Sequence, residues 1–177
     1  GDLGRIDPDG YLWITGRAKD LIIRSGHNID PAIIEEALAT HPDVAMTGAI
    51  GQPDAYAGEL PCAYVELVAG ATATGAELAA FAEKAIPERA AIPKHVEVLG
   101  ELPKTAVGKV FKPGLRKLAI TRVLDAAFSS AGLTARVVEV TDSKTKGLVA
   151  QISAADADAD QLTTLMGSFT VAWERVD

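Results

Sequence analysis

The sequence predicts an α+β protein. It reads as an N-terminal β-hairpin, a small mixed sheet packed with helices, and a second small α/β (ferredoxin-like) module. Three observations lead there. Turn chemistry, Asp7-Pro8-Asp9-Gly10, sits between two short extended runs at the start of the chain. Apolar residues then switch between a period near 2 and a period near 3.6 along the whole length. Residues 118–177 repeat an α-β-β-α-β order of their own, five of the six elements of a ferredoxin-like unit.

Each element has a local reason. Residues 3–6 and 11–15 flank the Pro-Asp-Gly turn, in which Pro fixes φ and Gly accepts a positive φ. Residues 20–24 form a short apolar strand closed by Ser25-Gly26, which we read as opening a strand-to-helix loop. Asp30-Pro31 is a helix start, with Asp as N-cap and Pro at the first helical position. Ile34, Ala37 and Leu38 give that helix one buried face, and His41-Pro42 stops it. Residues 44–50 and 61–68 read as strands. Thr74 caps a second helix carrying Leu78, Phe81, Ala82, Ala85 and Ile86. Residues 96–99 form a strand, 101–112 a loop, and Pro113 opens a third helix. Leu124, Ala127, Phe128 and Ala131 mark a further helix ended by Gly132. Strands over 135–140 and 148–152 follow, then a helix with Leu162, Leu165 and Met166. Asp156, Asp158 and Asp160 suit the positive end of its dipole. A last strand carries Phe169, Val171 and Trp173.

Composition excludes several functions. The net charge of −7 argues against nucleic acid or an anionic membrane as partner. No run of apolar residues is long enough for a transmembrane segment, and no signal-peptide pattern is present. The single Cys62 excludes an internal disulfide and a cysteine zinc cage, and suits a reducing, cytoplasmic setting. No metal site is expected. Residues 1–117 carry 12 basic and 16 acidic side chains, and residues 118–177 carry 5 and 8. Against that acidic background, Lys104, Lys109, Lys112, Arg116 and Lys117 form a run over 104–117 without one acid. The chain starts without Met and already inside patterned sequence, so we expect the tail end of something longer.

Four places hold residues suited to chemistry. In Gly16-Arg17-Ala18-Lys19-Asp20, an Arg at a strand end suits a hydroxyl pair or a phosphate, although the local spacing favours a plain turn. Ser25-Gly26-His27-Asn28 lets a ligand approach bare backbone, or is an ordinary loop. Pro103-Lys104-Thr105-Ala106-Val107-Gly108-Lys109 lacks the glycine spacing of a Walker loop, yet a mobile Lys in a basic loop suits an anion. Asp2 alone would pass for a frayed end. Cys62, in an apolar strand, reads as structural.

In one line, these motifs together with Asp9-Gly10-Tyr11 and Ile34-Glu35 closely resemble the C-terminal domain of the adenylate-forming (ANL) superfamily. That superfamily contains acyl-CoA synthetases, peptide-synthetase adenylation domains and firefly luciferase. The resemblance covers about residues 1–117 and leaves 118–177 outside. It implies an AMP-forming ligase that joins a carboxylic acid to coenzyme A at the expense of ATP, with Mg. An acyl-adenylate forms first, and the C-terminal domain then rotates before thiol attack. Residue by residue, it implies that Asp2 and Arg17 contact the ribose and that Lys19 is the hinge. Gly26, with Ser25 and His27 beside it, takes the coenzyme A side. Lys109 contacts the carboxylate and α-phosphate during adenylation. ATP and Mg would be held mainly by an N-terminal domain, the chain's principal partner, which these residues do not include. The fragment alone would be inactive.

Two departures stand out. Many relatives have Arg at Asn28, where it touches phosphate, and Glu-Ile-Glu where Ile33-Ile34-Glu35 stands. The alternatives are an adenylation domain that loads a carrier protein, for which no Gly-Gly-x-Ser-like element follows, and a tail over 118–177 that serves binding or homodimerisation.

Overall fold

The computed structural model describes residues 1–176, apart from the side chains of Asp2, Leu3, Ile14 and Thr15. Strands β1 (Asp2–Ile6) and β2 (Leu12–Arg17) pair antiparallel as a separate two-stranded hairpin. Asp7 builds its turn. One carboxylate oxygen accepts from the Asp9 and Tyr11 amides, and the other accepts from the Trp13 indole at 2.7 Å. The Trp13 bond, followed by the backbone bonds, holds the Asp7 carboxyl below the usual carboxylate range. A single 3-10 turn, Ala18–Asp20, leads out of the hairpin.

The main sheet holds β3 (Ile22–Arg24), β4 (His27–Ile29), β5 (Val44–Asp54), β6 (Gly58–Leu67) and β7 (His95–Leu99). Its order is β4-β3-β6-β5, and β7 runs parallel to β6 on the β3 side. Helices α1 (Pro31–Ala39) and α2 (Gly75–Ala85) cover one face. There Ile22, Ile29, Ile34, Leu38, Ala63, Val65 and Leu78 form a dry core. Both caps are those expected: the Asp30 carboxylate accepts from the Ala32 amide, and Thr74 forms a reciprocal capping box with Glu77.

Helix α3 (Lys112–Ser130) covers the other face. Because side chains alternate along β5 and β6, Ile50, Cys62 and Tyr64 point to α3 and meet Leu115, Ala119 and Leu102. Where the sequence suggests two helices, opened by Pro113 and ended by Gly132, there is one. Between Gly114 and Gly132 nothing breaks the backbone, and buried Leu115, Ala119, Ile120, Leu124 and Phe128 form one continuous stripe. The stripe changes partners midway. Its first half packs on the main sheet, and Ile120, Leu124 and Phe128 join the core of the C-terminal strands. The helix therefore passes unbroken through residue 118.

Strands β8 (Ala135–Ser143) and β9 (Gly147–Ala154) form an antiparallel hairpin. Helix α4 (Ala159–Met166) crosses over to β10 (Ala172–Val176), which lies parallel to β9. The α-β-β-α-β order is as anticipated. The last strand starts later than its pattern suggests, because Phe169 and Val171 pack on the core before β10 begins. No helix among the described residues is long and apolar enough to cross a membrane.

The packing of α3 on β5 has no slack at Gly48. A Cβ there would stand 2.5 Å from Leu115 Cδ1 and 2.8 Å from Val110 Cγ1. Gly48→Val is expected to overpack this contact and to lower unfolding stability by about 1–3 kcal/mol. Urea denaturation checks this, and an unchanged midpoint would contradict the packing described.

Candidate functional site

The Lys109 loop is a closed structure built on a short β-bridge between Lys104 and Val110. The Phe111 amide donates to the Pro103 carbonyl at 2.7 Å, and the Thr105 amide donates to the Lys109 carbonyl at 2.7 Å. The Lys109 amide donates to Thr105 Oγ1 at 3.2 Å. Gly108, at φ +78°, lets the chain reverse just before Lys109. Lys109 is exposed at this turn while its neighbour Val110 packs on the core. The backbone is fixed and the side chain projects into solvent, which suits a long, flexible ammonium delivered to an anion.

Glu66, at the end of β6, anchors the loop's base. Its carboxylate accepts from the Leu102 amide and from Lys104 Nζ, each at 2.9 Å. The Leu102 bond first, and Lys104 next, hold the Glu66 carboxyl below its usual range, and the bond to Glu66 raises Lys104. Glu35 anchors the loop's exit. It accepts from the Ala49 amide at 2.8 Å and pairs with Lys112 Nζ at 2.9 Å.

Ser25-Gly26 lies elsewhere. Rather than opening a strand-to-helix loop, it is the two-residue turn of the tight β3–β4 hairpin, with φ +50° at Ser25 and +82° at Gly26. Positive φ at both positions marks a type I′ turn, whose twist matches that of the strands. A Cβ at Gly26 would meet nothing within 4 Å, so the backbone here is bare. The Ser25 amide donates to the Ala57 carbonyl, and His27 Nε2 lies 2.7 Å from Glu88 Oε1. Arg24 donates to the Ala90 carbonyl, and with Glu83, Arg89 and Lys94 it lines a surface pocket of about 480 Å³.

The hairpin turn is tied to the start of β6 and the Lys109 loop to its end. Gly58 and Glu66 are eight residues apart on one strand, or ~26 Å at ~3.3 Å per residue. The structure thus does not bring Ser25, Gly26 and His27 together with Lys109.

At the N-terminus, the backbones of Asp2 and Arg17 are paired in the β1–β2 register. The Asp2 side chain lies outside the described residues. Lys19 is exposed within the 3-10 turn. Cys62 is fully buried, and burial pushes its thiol up to about 12, which suits a packing residue rather than a nucleophile.

Sequence reasoning did not single out Glu66, Arg24, Arg89 or Lys94, and took Arg116 only as part of the basic run. Glu66, Arg24 and Arg116 meet partners far along the chain, Leu102, Ala90 and Lys19. The uninterrupted basic run was the one local signal, and four of its five members, Lys104, Lys112, Arg116 and Lys117, prove to be anchored in ion pairs.

Residues 33–109 match the family described as the AMP-binding enzyme C-terminal domain. The chain is 57% identical over 122 residues to a marinolic acid–CoA ligase of a Pseudoalteromonas species, covering 69% of this chain and 19% of that one. It resembles the ATP-bound crystal structure of MatB from Rhodopseudomonas palustris at 38% identity and TM-score 0.60, over 66% of this chain and 23% of that one. It also resembles o-succinylbenzoate CoA synthetase from Bacillus subtilis, in complex with its acyl-adenylate OSB-AMP. There the identity is 37% and the TM-score 0.58, over 66% and 23% of the two chains. This chain spans about a fifth of the length of the curated relatives it matches.

The anchoring of the Lys109 loop carries a pH dependence. A lowered Glu66 carboxyl adds stability that is fully present above its ordinary value of 4.5 and lost as pH falls through the folded value. The raised Lys104 adds stability that is lost only at strongly alkaline pH. Glu66→Gln is therefore expected to melt below the parent protein at pH 7, with the gap narrowing toward pH 3. Parallel thermal melts measure it, and a gap independent of pH would contradict the role given to Glu66.

Proposed function

We propose that this chain, a member of the AMP-binding enzyme C-terminal domain family through residues 33–109, is the mobile domain of an acyl-CoA synthetase. It supplies the adenylation lysine, the hinge and the coenzyme A side of the active site. The rest of the enzyme holds the carboxylic acid and ATP as its Mg complex, so the chain alone is inactive.

One observation carries the reading. The exposed Lys109 loop and the bare Ser25-Gly26 turn lean on opposite ends of β6, at Glu66 and Gly58, which are ~26 Å apart along the strand. One active site cannot face both at once, and a two-step reaction gives each its turn. In the first step a carboxylate oxygen attacks the α-phosphorus of ATP. A P–O bond forms, the bond to the bridging oxygen breaks, and pyrophosphate leaves. Negative charge gathers between carboxylate and phosphate, and an ammonium at Lys109 stabilises it. The domain then turns at Lys19. In the second step the coenzyme A sulfur attacks the acyl carbon of the adenylate, a thioester forms, and AMP leaves with the electron pair of the broken C–O bond.

The second step suits the other end of the sheet. The open space over Gly26 admits the narrow pantetheine arm. Arg24, Arg89 and Lys94 stand in the adjacent pocket and suit the phosphates of coenzyme A, where Asn28 offers no charge. On the far side of the hinge, Ile6, Tyr11, Leu12 and Trp13 are exposed on the first hairpin, an apolar surface suited to the preceding domain. Asp2 and Arg17, paired in the strand register there, take the ribose. Residues 118–177 form the additional module, carried on α3 and available for binding or self-association.

In the intact synthetase, Lys109→Ala is expected to slow adenylate formation by about 10²–10³-fold. Thioester formation from supplied acyl-adenylate should stay within about threefold of the parent, less than 1 kcal/mol in barrier. Single-turnover assays of each half-reaction test this. An equal fall in both would contradict the assignment.

A further inference from the structure

Arg116 lies one helical turn beyond Lys112 in α3. Its guanidinium reaches back across nearly one hundred residues. Nη2 donates to the Lys19 carbonyl at 3.1 Å and approaches Asp20 Oδ1 at 3.3 Å. Both side chains of the ion pair are largely covered, Arg116 at 23% and Asp20 at 20% exposure. A bidentate-capable, permanently charged fork is held against one backbone carbonyl and one carboxylate of the same 3-10 turn.

We propose that Arg116 is a positioning residue that sets the pivot of the domain rotation. The proposal rests on the reading of Lys19 as the hinge. A rotation about a short segment needs a defined last point held by the moving body. Here that point is the Lys19 carbonyl. The Lys19 carbonyl and the Asp20 carboxylate are fastened to α3, which is itself fixed to the sheet at Leu115 and to Glu35 through Lys112. The rotation is thereby confined to the torsions of Lys19 ahead of its carbonyl, between the paired end of the first hairpin and the fastened point. Without the fastening, the flexible stretch would extend through Asp20 to Leu21, and the rotation would lose a single end point. The two presentations of the sheet, Lys109 first and Gly26 second, would then both become less exact, with no change in any group that touches substrate.

Two measurements on Arg116→Ala test this. The first uses the 177-residue chain, in which trypsin can cut after Arg17 and Lys19. Cleavage there is expected to accelerate about tenfold in the variant, and cleavage in the exposed turn at Lys144 and Lys146 to stay unchanged. Equal acceleration at all sites would mean general loosening, and no acceleration would mean no fastening. Either result overturns the proposal. The second uses the intact synthetase, where kcat for overall thioester formation is expected to fall about tenfold with KM for ATP and the acid unchanged. Arg116→Lys, which keeps one charged donor, should restore kcat to within about threefold. Selective cleavage combined with normal turnover would overturn the pivot role. A failure of the hinge reading itself shows separately, as a Lys19→Pro variant of the intact synthetase, with φ fixed at that position, that carries out both half-reactions at the parent's rates.

Discussion

The structure depends on the seating of α3 against the bare backbone at Gly48. Leu115 and Val110 occupy the space that any side chain at position 48 would need. That contact fixes the height of α3 over the sheet, and three other features follow from it. The Lys109 loop ends where α3 begins, so its exit is set by Val110 and by the Lys112–Glu35 pair. The turn at Ala18–Asp20 is held to the same helix one turn later. The C-terminal strands pack on its second half through Ile120, Leu124 and Phe128. One unbroken helix thus connects the Lys109 loop, the 18–20 turn and the C-terminal strands, each at a different point along its length.

Ion pairs and hydrogen bonds then orient what packing has brought close. Most of them are partly exposed, and isolated pairs of that kind add little stability. Their geometry matters more. Glu66 accepts from one amide and one ammonium at the base of the Lys109 loop, and Glu35 from one amide and one ammonium at its exit. Glu66 ties two points of one loop to the end of β6, and Glu35 joins a backbone donor of β5 to a lysine of α3, which fixes register. The departure at 33–35 fits this pattern. Ile33 packs against the core and Ile34 is buried within it, while Glu35 carries the polar contact.

Much of this was legible in the sequence. The hairpin turn at Asp7–Gly10, the Asp30-Pro31 start, the Thr74 cap and the α-β-β-α-β order of the tail rest on local chemistry, and all four stand as read. The continuity of α3 was not legible. Its stripe serves two cores in succession, so the periodicity looks like two amphipathic helices with different faces. The β3–β4 hairpin was missed because Ser25 is an unusual residue for a positive φ and the strands are only three residues long. The motif residues could be named from their order alone. Their distribution over opposite ends of β6 could not, because it is set by which residue of that strand each loop leans on, at separations above thirty residues.

Alternation between the two ends is the central claim, and a distance reports it most directly. A spin label at Glu36→Cys, exposed on α1, would be paired with a second label on the preceding domain of the intact synthetase. The native Cys62 is buried with its thiol pushed up to about 12, so it does not compete for the label. Pulsed dipolar spectroscopy is predicted to give one dominant distance with ATP and the acid, and a second, clearly separated one when an acyl-adenylate analogue and coenzyme A are bound. A single distribution, unchanged between the two conditions, would contradict the alternation.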